Sequence, residues 1–358
     1  MSQNKLGVGI VGCGDIAVQY VKWLKSAPEV DLVGITDIDR AKAEALGAAQ
    51  HCRVYAQLED LLAEPRVQVA VNLTTHHAHR AVTETCLNAG KHVYSEKPLA
   101  LTFAEAQALV ALAAQKGLRL ACSPFTLMGE AAQTAWAQLR ANRVGQVRLA
   151  YAEVNHGRIE TWHPAPIPFY QVGAMWDVGV YPLAILTAML GPARRVTAFG
   201  KLLKPERVTK DGVPYTVSTP DWIIALIETE SGALIRLTTT FYANNRSKQT
   251  GIEFHGDLGS LFLAHWFLFD APVEVAAYGE PYQPIPPVRQ GPPSVPWSTG
   301  VQELVQAILE ERPHRCSAEH AAHVVEILEA VTCSYTENRP VAITSSFTPP
   351  APMEWAVV

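Results

Sequence analysis

Gly12, Gly14 and Ala17 break the apolar run Val8 to Ala17, VGIVGCGDIA, and an acid, Asp37, closes the next β-rich run about 20 residues past the last of them. Small residues at this spacing let a strand turn into a helix with no side chain in the way. Gly12 allows the tight turn, Gly14 brings the backbone close to a pyrophosphate, and Ala17 packs helix on strand. The free N–H groups of the helix N-terminus then hold the phosphates, with Cys13, Asp15 and Ile16 completing the contact. Asp37 can accept from both ribose hydroxyls and repel a 2′-phosphate, which favours NAD over NADP. Arg40, three residues on, gives the competing signal: it either pairs a 2′-phosphate or is a solvated residue on the next helix, AKAEALGAA. NAD is the expected cofactor and NADP the alternative.

Such a loop requires a parallel sheet behind it. From residue 6 to about 123, β-type runs near 6–11, 30–36, 68–73, 91–95 and 118–122 alternate with helical patterns, as βαβ units on a parallel sheet do. The helix at 103–116 is capped by Thr102 and stopped by Gly117. After 124 the pattern changes. A helix at about 129–141 leads into longer β-candidates at 146–155, 194–203, 221–229, 233–241, 250–255 and 260–264, interrupted by one helix at about 177–190. Strands repeated without intervening helices predict one mostly antiparallel sheet with helices on a single face. The stretch 279–297, with Pro281, Pro284, Pro286, Pro287, Pro292, Pro293 and Pro296, reads as an ordered arm or loop, and helices follow at about 298–311 and 317–337, the latter with a serine cap. The expected fold class is α/β: a Rossmann dinucleotide-binding domain over 1–123 and an α+β substrate-binding and oligomerisation domain over 124–358, built on a large, open sheet.

Composition narrows the class. Of the 358 residues, 48% are hydrophobic and 18% charged, as in ordinary globular chains, and the length suits two domains. The net charge of −5 and the lack of a basic block argue against a nucleic-acid surface. No apolar run is long enough to span a bilayer, and MSQNKL runs into the first strand without the features of a signal peptide, so the expected location is cytoplasmic, with no membrane partner. Cysteines 13, 52, 86, 122, 316 and 333 lack metal-ligand spacing and read as reduced thiols.

Two further segments carry chemistry. Residues 90–100 read GKHVYSEKPLA and residues 173–181 read GAMWDVGVY. A lysine at the carboxyl end of a parallel strand, here Lys97, faces the crevice where open α/β sheets bind ligands. Its ammonium can hydrogen-bond a substrate hydroxyl and ease loss of that proton, although a solvated lysine paired with Glu96 is the plain alternative. Asp177 and Tyr181 stand four residues apart, on one face of a helix. Together with the early G-x-G-x-x-A, these segments make the chain resemble, from about residue 6 to 340, the glucose-fructose oxidoreductase, inositol dehydrogenase and rhizopine-catabolism family, written Gfo/Idh/MocA.

The resemblance implies that Glu96 and Lys97 reach the cofactor, that Lys97 is catalytic and substrate-binding, and that the Lys97–Pro98 bond is cis. It also implies that Asp177 and Tyr181 act on substrate, although the family's usual histidine is replaced by Tyr181. A phenol titrates near 10, too high for an efficient base at neutral pH, and a neighbouring ammonium would favour the phenolate. Tyr181 is therefore read as proton donor or acceptor, with Lys97 as electrostatic partner and Asp177 as ligand to substrate or lysine; simple packing is the alternative. Residues 72–79, NLTTHHAH, match the family at Thr74 and His79, and Asn72, Leu73, Thr74 and His79 are read as cofactor contacts rather than as a metal site. Residues 156–171, HGRIETWHPAPIPFYQ, offer Trp162, His163 and Tyr170 as substrate contacts, since aromatic faces suit the C–H face of a sugar or cyclitol; an interdomain packing loop is the alternative. Cys122 to Thr126 lacks the family's Asn-Arg pair, which tilts the substrate toward a neutral polyol or sugar.

The expected function is NAD(P)-dependent hydride transfer to or from a sugar, sugar derivative or cyclitol. A non-catalytic sensor and a redox-neutral NAD-dependent glycosidase are the alternatives. A homodimer or homotetramer through the open sheet face is expected, because strands such as Trp222 to Leu226 would otherwise expose apolar side chains.

Overall fold

The computed structural model describes residues 5–292 and 294–357; residues 1–4 and Pro293, both touched on above, lie outside the described residues. The chain divides into two compact units, 1–125 with 295–325, and 126–294 with 326–358.

In the first unit, five parallel strands, β1 (Leu6–Val11), β2 (Val30–Thr36), β3 (Val69–Asn72), β4 (His92–Ser95) and β5 (Leu120–Cys122), lie in the order β2-β1-β3-β4-β5. Every residue of β1 and β3 is buried, the continuous apolar reading that a parallel strand covered on both faces demands. Helix α1 (Asp15–Leu24) buries Ala17, Tyr20, Val21 and Leu24, an i, i+3, i+4, i+7 stripe. It is followed by α2 (Arg40–Gln50), α3 (Leu58–Ala63), α4 (His79–Asn88) and α5 (Phe103–Gln115). Thr102 caps α5 by accepting from the amide of Glu105, as its position predicts.

The second unit holds α6 (Glu130–Arg140), α7 (Ile167–Val172) and α8 (Val180–Leu190) with a nine-stranded sheet. Its strands are β6 (Val147–Asn155), β7 (Ala193–Lys201), β10 (Trp222–Thr229), β11 (Leu234–Thr240), β12 (Gly251–Gly256), β13 (Gly259–Leu263), β14 (Val273–Ala277), β15 (Gln283–Pro284) and β16 (Val341–Ala342). The order is β15-β14-β13-β12-β6-β11-β10-β7-β16, antiparallel except for the β6/β11 pair. A separate hairpin, β8 (Glu206–Val208) with β9 (Pro214–Thr216), falls between β7 and β10. Burial alternates along β10, so one face is covered and the other leaves Phe199, Trp222, Ile224 and Leu226 at least partly in solvent.

One expectation needs correcting. Residues 295–325, assigned above to the second domain, belong to the first unit. Helix α9 (Thr299–Leu309) sets Val301, Leu304 and Val305 into the core formed by β1, α1 and Tyr94, and only a glycine fits at 300, where an added Cβ would lie 2.2 Å from the Tyr94 hydroxyl. Apolar burial of about 25 cal/mol per Å² rewards that return of the chain, which no local pattern announces. The unit boundary then falls within α10 (Ala318–Glu337), whose first turn has the expected serine cap, the Ser317 hydroxyl accepting from the amide of His320. Among the described residues no helix is long and apolar enough to cross a membrane.

Candidate active site

The β1–α1 turn is built as its glycines require. Gly12 has φ +99, and a Cβ there would lie 2.7 Å from the Leu73 carbonyl, so the backbone of residues 73–74 can approach only a glycine. At Gly14 an added Cβ would meet nothing within 4 Å, and Gly14 caps α1 with no side-chain acceptor. The turn therefore combines an open approach with uncapped amides, and these residues fit a dinucleotide pyrophosphate. Asp37 stands where the ribose is expected: one oxygen accepts from the Cys13 amide at 2.6 Å and the other from the Asp39 amide at 2.7 Å. Burial, then Asp37, pushes the Cys13 thiol up to about 12, so it stays protonated beside the β1–α1 turn. Arg40 opens α2 and pairs with the exposed Glu44 at 2.7 Å, the solvated arrangement.

The turn after β4 is sealed. Glu96 is 8% exposed, and its carboxylate accepts from the Tyr20 hydroxyl at 2.6 Å, the Ser123 hydroxyl at 3.0 Å and the Lys97 amide at 3.0 Å. Tyr94 hydrogen-bonds Ser123 at 2.8 Å, and burial raises both the Tyr20 and Tyr94 phenols well above the ordinary range. The Glu96 amide in turn donates to the Asn72 carbonyl at 2.8 Å. Lys97 is thus carried on a backbone tied to α1, β3 and the chain after β5. The Lys97–Pro98 bond is cis, as the resemblance implies, and so is Ser123–Pro124.

His79 has a different duty from the cofactor contact expected of it. It is 1% exposed, with Nδ1 2.7 Å from the Pro98 carbonyl and Nε2 3.0 Å from the Thr74 carbonyl. Its ring therefore joins the turn after β3 to the turn after β4, and burial lowers its pKa. Asn72 is likewise buried: it donates to the His79 carbonyl and Thr83, and accepts from Thr74 at 2.6 Å. Thr74 and Leu73 remain at the rim of the turn that closes on Gly12. His76 stacks 5.9 Å from His79, and among the described residues no acid, cysteine or histidine group assembles a metal site.

In the second unit the helix expected from 177 begins earlier, with a π-helical turn at Met175–Gly179 that runs on into α8. Such single turns widen the helix locally and recur where a side chain must be re-aimed. Asp177 is buried and Tyr181 half-buried. The Tyr181 ring lies 5.2 Å from Trp266 and 5.4 Å from Phe267. From there the rings continue: Trp266 to His265 at 5.1 Å, Trp266 to His156 at 6.4 Å, His156 to Trp162 at 5.4 Å, Trp162 to Phe169 at 5.9 Å and His163 to Phe169 at 4.7 Å. Centroid separations of 4.5–7 Å with tilted or edge-on planes are the favourable aromatic arrangement. Trp162 and His163 thus join Tyr181 in one array. His156, His265, Trp266 and Phe267 were missed from sequence; the run HWFLF at 265–269, five bulky residues in one loop, was the available signal.

Tyr170, expected to touch substrate, does not belong to that surface. It is 3% exposed, and its hydroxyl donates to Glu160 at 2.5 Å while accepting from Arg207 at 2.6 Å and the Ile159 amide at 3.3 Å. Arg207, on β8, also pairs Glu160 at 2.8 Å and Asp221 at 2.6 Å, and its guanidinium lies 4.2 Å over the Tyr170 ring. Burial pushes the Glu160 carboxyl up, but Tyr170 and Arg207 outweigh it and hold it below the usual range. Arg207 therefore clamps both ends of the loop that bears Trp162, His163 and Phe169.

These features define an NAD-binding Rossmann unit followed by a sheet domain with an aromatic-lined surface. The family model described as oxidoreductase family, NAD-binding Rossmann fold matches residues 6–123, and that of the GFO/IDH/MocA C-terminal domain matches 132–262. The chain belongs to the GFO/IDH/MocA oxidoreductase family. Trans-1,2-dihydrobenzene-1,2-diol dehydrogenase of Macaca fuscata fuscata is 29% identical over 225 residues, which cover 62% of this chain and 64% of that protein, a little under two thirds of its length. dTDP-3,4-didehydro-2,6-dideoxy-alpha-D-glucose 3-reductase of Streptomyces antibioticus is 31% identical over 215 residues, 58% of this chain and 63% of that protein. A levoglucosan dehydrogenase, solved with NADH and levoglucosan, shares the fold with a TM-score of 0.83 at 18% identity, covering 95% of this chain and 99% of that one.

Proposed function

We propose that this protein is an NAD-dependent oxidoreductase that moves hydride between the nicotinamide and a carbinol or carbonyl carbon of a neutral sugar, sugar derivative or cyclitol. The observation that carries the reading is the sealed turn beneath Lys97, a buried carboxylate with three donors, which holds one lysine at the carboxyl end of a parallel strand. Bound NAD supplies the hydride acceptor or donor at its nicotinamide C4. Lys97 hydrogen-bonds the substrate oxygen and stabilises negative charge as it develops there. Tyr181 takes the hydroxyl proton during oxidation and returns it during reduction, and Asp177 holds a substrate hydroxyl. Asp37, with Arg40 already paired to Glu44, supports NAD over NADP.

The relatives' named substrates are a dihydrodiol and a dideoxy sugar, and the aromatic array at Tyr181 suits rings of that kind. The apolar stripe of Phe199, Trp222, Ile224 and Leu226 supports a homodimer or homotetramer through the open sheet face. The six cysteines are free, which supports a cytoplasmic location.

The test follows absorbance of reduced nicotinamide against sugars, polyols, inositols and their keto forms, offering NAD(H) and NADP(H) separately. Turnover with at least one ring polyol is expected, and Lys97→Ala should reduce kcat by about 10³-fold. Tight cofactor binding with no turnover anywhere in the panel would overturn the reading in favour of a sensor or a redox-neutral hydrolase.

A further inference from the structure

Two histidines of the aromatic array share an unusual local geometry. His265 Nδ1 accepts from the Phe267 amide at 3.0 Å, and His163 Nδ1 accepts from the Ala165 amide at 3.0 Å. Each ring is thus bonded to the backbone N–H two residues on. A nitrogen that accepts carries no proton, so in both rings the proton sits on Nε2. Both rings are half-buried, unlike His79, which is sealed with a carbonyl at each nitrogen.

We propose that His265 is a specificity-determining residue, donating from Nε2 to an oxygen of a neutral six-membered ring polyol bound at the Tyr181 end of the aromatic array. The inference rests on the oxidoreductase reading above and adds the group that reads the substrate. The His265 ring lies 5.1 Å from Trp266 at a shallow 33° tilt, and the buried Trp266 lies 5.2 Å from Tyr181, so one short loop fixes a donor in the ring cluster that holds the tyrosine. Burial, and then the neighbouring His156, lowers the pKa of His265 below the ordinary imidazole range. An uncharged donor gives a carboxylate or phosphate no electrostatic advantage, so it selects hydroxyl, ether and carbonyl oxygens. His163, with the same tautomer on the clamped loop, is its counterpart across Trp162 and Phe169.

The experiment compares wild type with His265→Phe and His265→Asn, using the best ring polyol of the panel and its monodeoxy analogues. Phenylalanine keeps the ring contacts and removes the donor; asparagine keeps an acceptor for the Phe267 amide and a short donor, so it guards against loss of the loop. Wild type should discriminate against one deoxy analogue by about tenfold or more in kcat/KM. His265→Phe should raise KM for the parent by a similar factor, hold kcat within about threefold and abolish that discrimination, while His265→Asn retains part of it. NADH affinity should be the same in all three. Discrimination that persists in His265→Phe, or a nitrogen NMR signature of the Nδ1–H tautomer at His265, would overturn the inference and leave the oxidoreductase reading standing. If wild type turns over no ring polyol, the oxidoreductase reading fails and this inference fails with it.

Discussion

The turn that carries Lys97 and the array that begins at Tyr181 solve opposite problems. Beneath Lys97 the polar groups face inward: Glu96, Asn72, His79, Tyr20 and Ser123 are buried, and each is hydrogen-bonded within the unit. Around Tyr181 the rings range from the buried Trp266 to Trp162, 41% exposed, and the Nδ1 atoms of His163 and His265 are held by the local backbone. A sealed network fixes a single geometry, because an unsatisfied partner in low dielectric costs heavily. An open array of rings recognises shape and tolerates variation, because stacking has no strict direction. Constant chemistry is thus expected from the first region and substrate choice from the second.

The strongest way to break this contrast lies in the second region, where Arg207 and Asp221 form a fully buried ion pair behind the ring-bearing loop. Arg207→Met leaves Glu160 and Asp221 buried without their counter-charge, and loss of one partner from such a group costs about 3–5 kcal/mol. Urea unfolding should report that loss, with faster hydrogen exchange over 158–172 as the loop between Glu160 and Tyr170 is released. A loss below about 1 kcal/mol, with exchange unchanged, would mean that the rings of the loop hold themselves in place.

The β1–α1 turn was far more legible in the sequence than the array at Tyr181. A phosphate turn is local: Gly12, Gly14 and Ala17 act within one strand–helix junction, and Thr102 caps its helix three residues away, so spacing alone revealed them. The role of Tyr170 was hidden because its partner Arg207 lies 37 residues on, in a hairpin whose strands, ERV and PYT, are too short and polar to show a period. His265 and Trp266 stand in a loop between β13 and β14, where no alternation marks which side chains meet Tyr181. The misassignment of 295–325 has the same cause. The apolar stripe of α9 was visible as a helix, but nothing local says which of two cores it enters.

A middle-sized effect sharpens the contrast from the other side. Tyr20 belongs to α1, which follows the glycine turn, yet its hydroxyl ends on the carboxylate beneath Lys97. Tyr20→Phe removes one hydrogen bond to a buried charged acceptor, worth about 1.5–3 kcal/mol, and leaves Ser123 and the Lys97 amide as donors. Stability should fall by that amount, and kcat should fall about tenfold with KM for NADH nearly constant, since the proposed pyrophosphate contacts are backbone amides. If stability drops while kcat holds, the network is scaffolding only and the precision attributed to the Lys97 turn is lost.

The smallest effect concerns the edge of the cofactor turn, where the sealed region meets solvent. Arg40 is paired along its own helix with Glu44, and its side chain is 69% exposed. If that pairing describes its whole role, Arg40→Ala changes the dissociation constants of NAD and NADP by less than twofold each, because an exposed i, i+4 pair contributes little. A tenfold weakening of NADP alone would instead show that the guanidinium leaves Glu44 for a 2′-phosphate. In that case Asp37 would not decide the cofactor by itself, and one polar group of the first region would be as adaptable as the rings of the second.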